Sequence, residues 1–419
     1  MWRPELKPNW YDSPHTGLFA QSGPVAREAY DPDVAIWSGL SPLPDPGAEP
    51  PGGGGAGWDE AAAEAAAVGE AIERWQSWPL PCDRAVEACF RHWPLDEPAV
   101  GPGRWVLFHP EQYALPDFPY QPLTPTTVTR WLCFRQAFSG LPCWVPEELA
   151  YLTLPPGRQA HLCPLVSSGL AAGRWNQPVL LRGLQEAIER DAVVGAAWGR
   201  YPLEEHEQAR IFAGLDPVLP ARVVRPNLRY RFFRINTPLS AHVTAVTLEG
   251  EDHVGYCFSV GSACRETRKA SWLKSLLEAV QGRPYVRYLK SRWRLREDRL
   301  DVPASFADHA LYYSVYPERL SGTVFGRTVK SGRELDLDVD CEEGVAGLAE
   351  RLGANRPVLF RNLTPPGIAL EQLDWCVLRV VVPGLQPLHG HHALPFLGGP
   401  LWAPRGWNDW VGMLPHPFP

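Results

Sequence analysis

The chain reads as an α+β fold of layered sheets and helices. Two long helical patterns, 178–198 and 268–281, are set among β-branched and aromatic runs at 228–235, 240–248, 254–260, 310–315, 357–361 and 376–382. Helices interleaved with pairs of strands favour a mixed sheet with helices packed on it over a doubly wound parallel sheet. The two helices also echo each other, which predicts two related half-units packed together.

Along the chain, residues 1–40 are aromatic and aperiodic, and 41–57 (SPLPDPGAEPPGGGGAG) read as a Pro/Gly linker that forms no core. An Ala- and Glu-rich helix follows from Asp59 to about Gln76. Its apolar positions Ala63, Ala66, Val68 and Ile72 are weak, so it is expected to cover a surface. Between Trp78 and Pro156 short strands alternate with proline turns, with Trp105–Phe108 and Val128–Leu132 as the clearest strands. The expected division is an extension and linker over 1–57 and one domain over 58–419, with a tail at 414–419.

Hydrophobic content of 45% is ample for a core, and a net charge of −7 gives no global signal for nucleic acid or an anionic membrane. No signal peptide opens the chain and no apolar run reaches the ~20 residues of a membrane span, so a cytoplasmic protein is expected. The nine cysteines are scattered without a C-x-x-C pair, as in reduced intracellular proteins.

The echo between the helices carries acids. Arg182, Glu186 and Glu189 in the first, and Lys274, Glu278 and Gln281 in the second, sit at i, i+4 and i+7, which is one helical face. Leu181, Leu184, Ile188 and Ala192, and Leu273, Leu276, Leu277 and Val280, form the apolar faces. The acidic stripes are either solvated faces with i,i+4 pairs or the walls of one shared cleft. The run Ser167–Gly173 (SSGLAAG) before the first helix favours the cleft. Small residues there leave backbone N–H groups open to an anion near a helix N-terminus. Together these features suggest a nucleotide site with carboxylates holding Mg²⁺. The chain ends Pro415-His416-Pro417-Phe418-Pro419, an extended polyproline-like path that would carry the terminal carboxylate to a fixed place.

These motifs, in this order, resemble the YcaO family. The signature is S-S-G-L-A-A-G followed by G-L-Q-E-A-I-E-R-D (Gly183–Asp191). L-L-E-A-V-Q-G-R (Leu276–Arg283), V-L-R-V-V-V-P-G-L-Q-P (Val377–Pro387), the run Thr129–Pro146 and the terminal P-x-P-x-P support it. The resemblance implies a YcaO-type fold, with an ATP cleft between repeated α/β units. The implied enzyme is an ATP-dependent, azoline-forming cyclodehydratase of thiazole/oxazole-modified peptide biosynthesis. It implies ATP-binding roles for Ser168, Gly169, Arg182, Glu186, Glu189, Arg190, Lys274, Glu278 and Gln281. Mg²⁺ ligation would fall to Glu186, Glu189 and Glu278, a phosphate contact to Arg379, and organisation of the cyclodehydration site to Pro415, Pro417 and Pro419. Asn362 stands where the family's D-L-T motif has an acid.

The implied partners are a precursor peptide and a separate leader-peptide-binding protein related to ubiquitin-activating enzymes, since residues 1–57 leave no room for a fused one. A flavin-dependent dehydrogenase would oxidise azolines later. Other readings are ATP-driven thioamide or amidine formation and a non-catalytic peptide scaffold. The basic run Arg283–Arg299 reads as a solvated face ahead of an anionic partner face or a nucleic-acid surface. His389, His391 and His392 read as a loop with polar contacts rather than a metal site, and Asp308-His309 as a structural buried pair.

Overall fold

The computed structural model of the chain describes residues 19–40, 52–77, 79, 84–155, 157–293, 300–331, 341–364 and 375–418. In chain order the first half runs β1 (Gln21–Pro24), β2 (Ala35–Leu40), β3 (Gly52–Gly57), α1 (Glu60–Trp75), β4 (Ala85–Ala88), α2 (Pro110–Tyr113), β5 (Thr129–Gln136), β6 (Pro142–Pro146), β7 (Leu170–Arg174) and α3 (Val179–Ala197). The second runs β8 (Leu203–His206), α4 (Gln208–Leu215), α5 (Leu219–Val223), β9 (Leu228–Ile235), β10 (Val243–Asp252), β11 (Gly255–Cys264), α6 (Arg268–Trp293), α7 (Phe306–Val315), β12 (Val329–Lys330), α8 (Val345–Leu352), β13 (Leu359–Asn362) and β14 (Trp375–Val381).

Three sheets result. β1-β2-β3 is an antiparallel meander, β11-β10-β9-β8-β12 is antiparallel but for its last pair, and β4-β5-β13-β14-β7 carries β6 on β5. Helix α3 bridges the two larger sheets, packing on β14, β7 and β11. Leu181, Leu184, Ile188 and Ala192 are all buried in its core. Helix α6 lies on β10 and β11 and also reaches β3. The mixed α+β class expected from the sequence is the one observed.

Residues 52–57 are not a linker. They form β3, and α1 sits directly on it. A Cβ on Gly55 would stand 2.2 Å from the Ala63 carbonyl oxygen, and one on Gly53 would stand 2.4 Å from that of Ala67. A strand without side chains and a helix of alanines can approach backbone to backbone, which the Pro/Gly composition hides. The expected boundary at 57/58 therefore falls between two packed elements. Ala63, Ala67, Val68, Ala71 and Ile72 are buried, so α1 is part of the interior rather than a surface cover. Residues 41–51 lie outside the described set.

Two expected strands are absent. Val106–Phe108 is buried and Trp105 partly so, but the run is irregular, because a 3-10 turn over Pro102–Arg104 precedes it and Pro110 opens α2 just after it. Residues 310–315 belong to α7, whose N-cap Ser305 accepts from the Asp308 amide. The spacing His309, Tyr312, Tyr313 places three rings on its buried face, a helical period masked by a β-prone aromatic run. Helix α6 continues beyond 281 to Trp293, through Pro284.

Three cations of its basic stretch, Arg283, Arg287 and Lys290, do not lie on a solvated face, whereas Arg292 is exposed. Arg283 and Arg287 donate to Asp252, Arg287 also reaches Asp31 at 2.6 Å, and Lys290 caps the Ser314 carbonyl at 2.9 Å. All three are buried, so these charges knit α6 to the N-terminal segment and α7 and offer nothing to a nucleic acid. Residues 294–299 lie outside the described set.

Candidate nucleotide and metal site

The site is built on the faces of three helices. Glu186 and Glu189 project from α3, Glu278 from α6 and Glu73 from α1, with Arg190 among them. All four acids act electrostatically on Arg190. Glu189 feels Glu278, and Glu73 feels Glu186. Glu186 and Glu189 of the first stripe and Glu278 of the second do come together. The acid from α1 was not foreseen, although Glu70-Ala-Ile-Glu73-Arg74 repeats Glu186-Ala-Ile-Glu189-Arg190 residue for residue. That identity is a closer echo than the one between α3 and α6.

Each acid is fixed differently. Glu189 is buried, accepting from the Ser262 hydroxyl at 2.6 Å and the Cys264 amide at 3.3 Å on β11. Glu186 stands 3.8 Å from Arg190, both side chains about a quarter exposed (22% and 24%) though set deep among protein atoms, so they line a recess that water reaches. Lys274 holds Glu278 at 3.1 Å. On α1, Glu70 accepts from the Gly54 amide at 2.8 Å, and the Gln281 amide nitrogen lies 3.0 Å from where a Gly54 Cβ would stand. Gln281 thus reaches Gly54 of β3, beside which Glu70 is bound.

The electrostatics are strained in one direction. Burial pushes Glu186 up to about 7, with Arg190 opposing and Glu189 adding to the shift. Burial raises Glu73 well above the usual carboxylate range, aided by Glu186 and Glu70. Glu189 is raised by burial and by Glu278 against the pull of Arg190. Acids held this way favour a cation among them.

Arg379, on β14, is buried at 3% exposure, and burial draws it down to about 10 with Glu186 opposing. Its guanidinium donates to the Leu149 and Val166 carbonyls, both at 2.9 Å, which orient it without neutralising it. It faces Glu186 and Glu73.

Other predicted residues sit differently. Arg182 pairs with Glu266 at 2.6 Å rather than with Glu186, because the chain leaving β11 brings Glu266 against the first turn of α3. Ser168 and Gly169 turn the chain into β7, not into a helix, since β7 pairs with β14 before α3 begins. The Gly169 carbonyl accepts from Val380 at 2.7 Å. A Cβ there, at φ +85°, would stand 2.0 Å from the Val380 oxygen. The loop is therefore not an open nest at a helix N-terminus, as the small residues suggested. Its glycine seats β14 against Gly183 of α3, whose Cβ would meet Gly169 at 2.9 Å.

The tail runs inward. Pro415 to Phe418 are buried, and Tyr313 donates to the Pro415 carbonyl at 2.5 Å. Phe418 packs against Phe325 in the core that contains Leu181 and Ile188 of α3. Pro419 lies outside the described residues. Asn362 is exposed, its side chain accepting from the Thr364 amide at 2.9 Å.

The chain belongs to the YcaO family: the family model, described as YcaO cyclodehydratase, ATP- and Mg²⁺-binding, matches residues 54–386. No curated protein sequence matches it. Among solved structures, a heterocyclase in complex with substrate and cofactor is 15% identical with a TM-score of 0.67, over 90% of this chain and 51% of that one. The chain thus spans about half the length of that heterocyclase. YcaO from Methanopyrus kandleri bound with AMPPCP and Mg²⁺ is 19% identical with a TM-score of 0.54, covering 87% of this chain and 85% of that one. A chain of the E. coli microcin synthetase McbBCD complex is 15% identical with a TM-score of 0.61, over 95% and 96%. At these identities the likeness is one of fold.

ATP and Mg²⁺ are the ligands this family binds, and the recess fits them. Its donors are oxygen-only, as a hard divalent cation requires, and its acids are held in partly disfavoured charged forms. Among the described residues no three carboxylates close on a common point. Among the described residues, no helix is long and apolar enough to cross a membrane.

Proposed function

We propose that this chain catalyses ATP-dependent cyclodehydration of Cys, Ser or Thr residues in a ribosomal precursor peptide, giving azolines. A substrate thiol or hydroxyl adds to the preceding amide carbonyl. The amide oxygen takes the γ-phosphoryl group of ATP and leaves as phosphate, while the nucleophile and the amide nitrogen each lose a proton. One water is lost from the peptide overall. Glu73, Glu186, Glu189 and Glu278 would hold Mg²⁺, which neutralises phosphate charge, and Arg379 and Arg190 face the same recess.

The substrate brings its own nucleophile, and the enzyme's thiols agree with that role. Cys264, the one nearest Glu189, is pushed up to about 12 by burial, so it is not a thiolate. The observation that supports the azoline branch over other ATP-driven backbone chemistry is the inward-running tail, buried from Pro415 through Phe418. A separate leader-binding protein would present the peptide. Appending a few residues after Pro419 tests this reading: cyclisation is expected to fall far more than Mg-ATP binding. An extended chain that cyclises normally would remove the tail's claim to the site.

A further inference from the structure

Four imidazoles meet where the tail enters the core. The His309 and His416 rings stack with centroids 3.9 Å apart at 8°, His389 stands edge-on to His416 at 4.6 Å, and His392 lies 6.2 Å from His309. Trp198 and Trp410 close the cluster from α3 and the 400–413 segment. His309, His389 and His416 are 1–3% exposed and His392 is 9% exposed.

These rings hold main chain rather than one another. His309 Nδ1 pairs with the His416 carbonyl at 3.0 Å, His416 Nε2 donates to the His389 carbonyl at 2.7 Å, and His392 Nε2 donates to the Met413 carbonyl at 3.0 Å. His309 Nε2, both ring nitrogens of His389, His392 Nδ1 and His416 Nδ1 are buried with no hydrogen-bond partner. The rings stack instead of converging, and no metal site forms among the described residues.

We propose that this cluster is an acid-labile latch: the four neutral imidazoles dock the C-terminal tail, and protonation releases it. A proton added to any ring would place charge in a nearly sealed site. Around the cluster, α7 contributes Asp308 and Tyr313, and the 389–392 loop contributes His391. Beyond the tryptophans, Arg405 stacks over Trp402 at 5.2 Å and donates to the Trp198 carbonyl at 3.1 Å. Asp308 is the one acid among these, and it is already engaged by the Ala304 amide at 3.1 Å. Burial draws His309 and His392 down to about 4 and holds His389 and His416 well below the ordinary imidazole range. The docked state therefore binds fewer protons than the released one. Docking is favoured above about pH 6.5 and weakens as pH falls from there. The tail's effect on cyclisation rests on the proposed function, whereas the latch does not.

Hydrogen exchange of the 413–418 segment in the full chain, corrected for the intrinsic pH dependence, reads docking directly through the Met413, Leu414, His416 and Phe418 amides. Protection is expected to fall by roughly tenfold or more between about pH 7.5 and about 5.5. His389→Phe removes a titrating ring that makes no side-chain hydrogen bond. It should dock normally at the higher pH and lose less protection on acidification, by up to about tenfold. His389→Leu does the same if the larger ring misfits. Unchanged wild-type protection across this range, or an equal loss in the His389 variants, overturns the latch. Peptide cyclisation and ATP hydrolysis measured in the same samples separate the two claims. A released tail with undiminished cyclisation supports the latch and refutes the tail's role in the site.

Discussion

The Ser262 hydroxyl of β11 donates to the Glu189 carboxylate of α3 at 2.6 Å. This bond ties the acidic face of one helix to the sheet under the other, so the recess is set by packing of α3 and α6 on β11 rather than by either helix alone. Ser262→Ala should leave the fold intact and raise KM for ATP about five- to tenfold, the worth of one hydrogen bond of about 1–1.4 kcal/mol. Steady-state ATPase kinetics check this.

Glu73 is the acid contributed by α1. Glu73→Gln removes a proposed Mg²⁺ ligand and also the repulsion from Glu186 and Glu70. ATP turnover is expected to drop by about two orders of magnitude while the unliganded protein melts no lower than wild type, a trade typical of strained sites. The rise in Tm on adding Mg-ATP should shrink with it. Calorimetry with and without Mg-ATP measures both.

Glu186 gives a pH dependence with a definite sign. Its folded carboxyl titrates near 7, above the ordinary carboxylate range. Between about pH 4.5 and 7 the folded state holds a proton that the unfolded chain has lost, so this group costs stability as pH rises. Glu186→Gln should thus be as stable as wild type near about pH 5. It should be more stable near about pH 8 by on the order of 2 kcal/mol, less than the full shift because the recess is open to water. Urea unfolding at the two pH values tests it.

The contact of β3 with α1 admits no side chain. Gly55→Val should destabilise by about 3 kcal/mol or more and abolish Mg-ATP binding, since α1 carries Glu70 and Glu73. Gly23→Ala, where nothing lies within 4 Å of the new Cβ, should change stability little. Thermal melts of the pair separate the contact from a general loss of glycine.

Arg283→Ala should cost about 1–3 kcal/mol, since Asp252 loses one charged hydrogen bond while Arg287 still pairs with both Asp252 and Asp31, with no change in any nucleic-acid affinity. Thermal or urea unfolding supplies the first number and a salt-dependent binding assay the second.

Periodicity made α3 legible, because its apolar face and its Arg182, Glu186 and Glu189 stripe are both strong. It failed for α1, where alanines pack on glycines and the signal is an absence of side chains. The two copies of E-A-I-E-R would have placed α1 in the site, but the weak apolar face argued for a surface helix. The basic run over α6 misled because sequence shows charge and not direction: Asp252 on the neighbouring strand β10 and Asp31, far away in the chain, turn Arg283 and Arg287 inward. Residues 310–315 misled because Tyr312 and Tyr313 are strand formers by preference, while the Ser305 cap and burial on α7 decide otherwise.

The most direct test of the proposed function is mass spectrometry of a precursor peptide incubated with this protein, the proposed leader-binding protein and Mg-ATP. Loss of one water per modified Cys, Ser or Thr is expected, with one phosphate released for each, and no loss in the Glu186→Ala chain. Replacement of oxygen by sulfur, or ATP hydrolysis with no change in peptide mass, would contradict it.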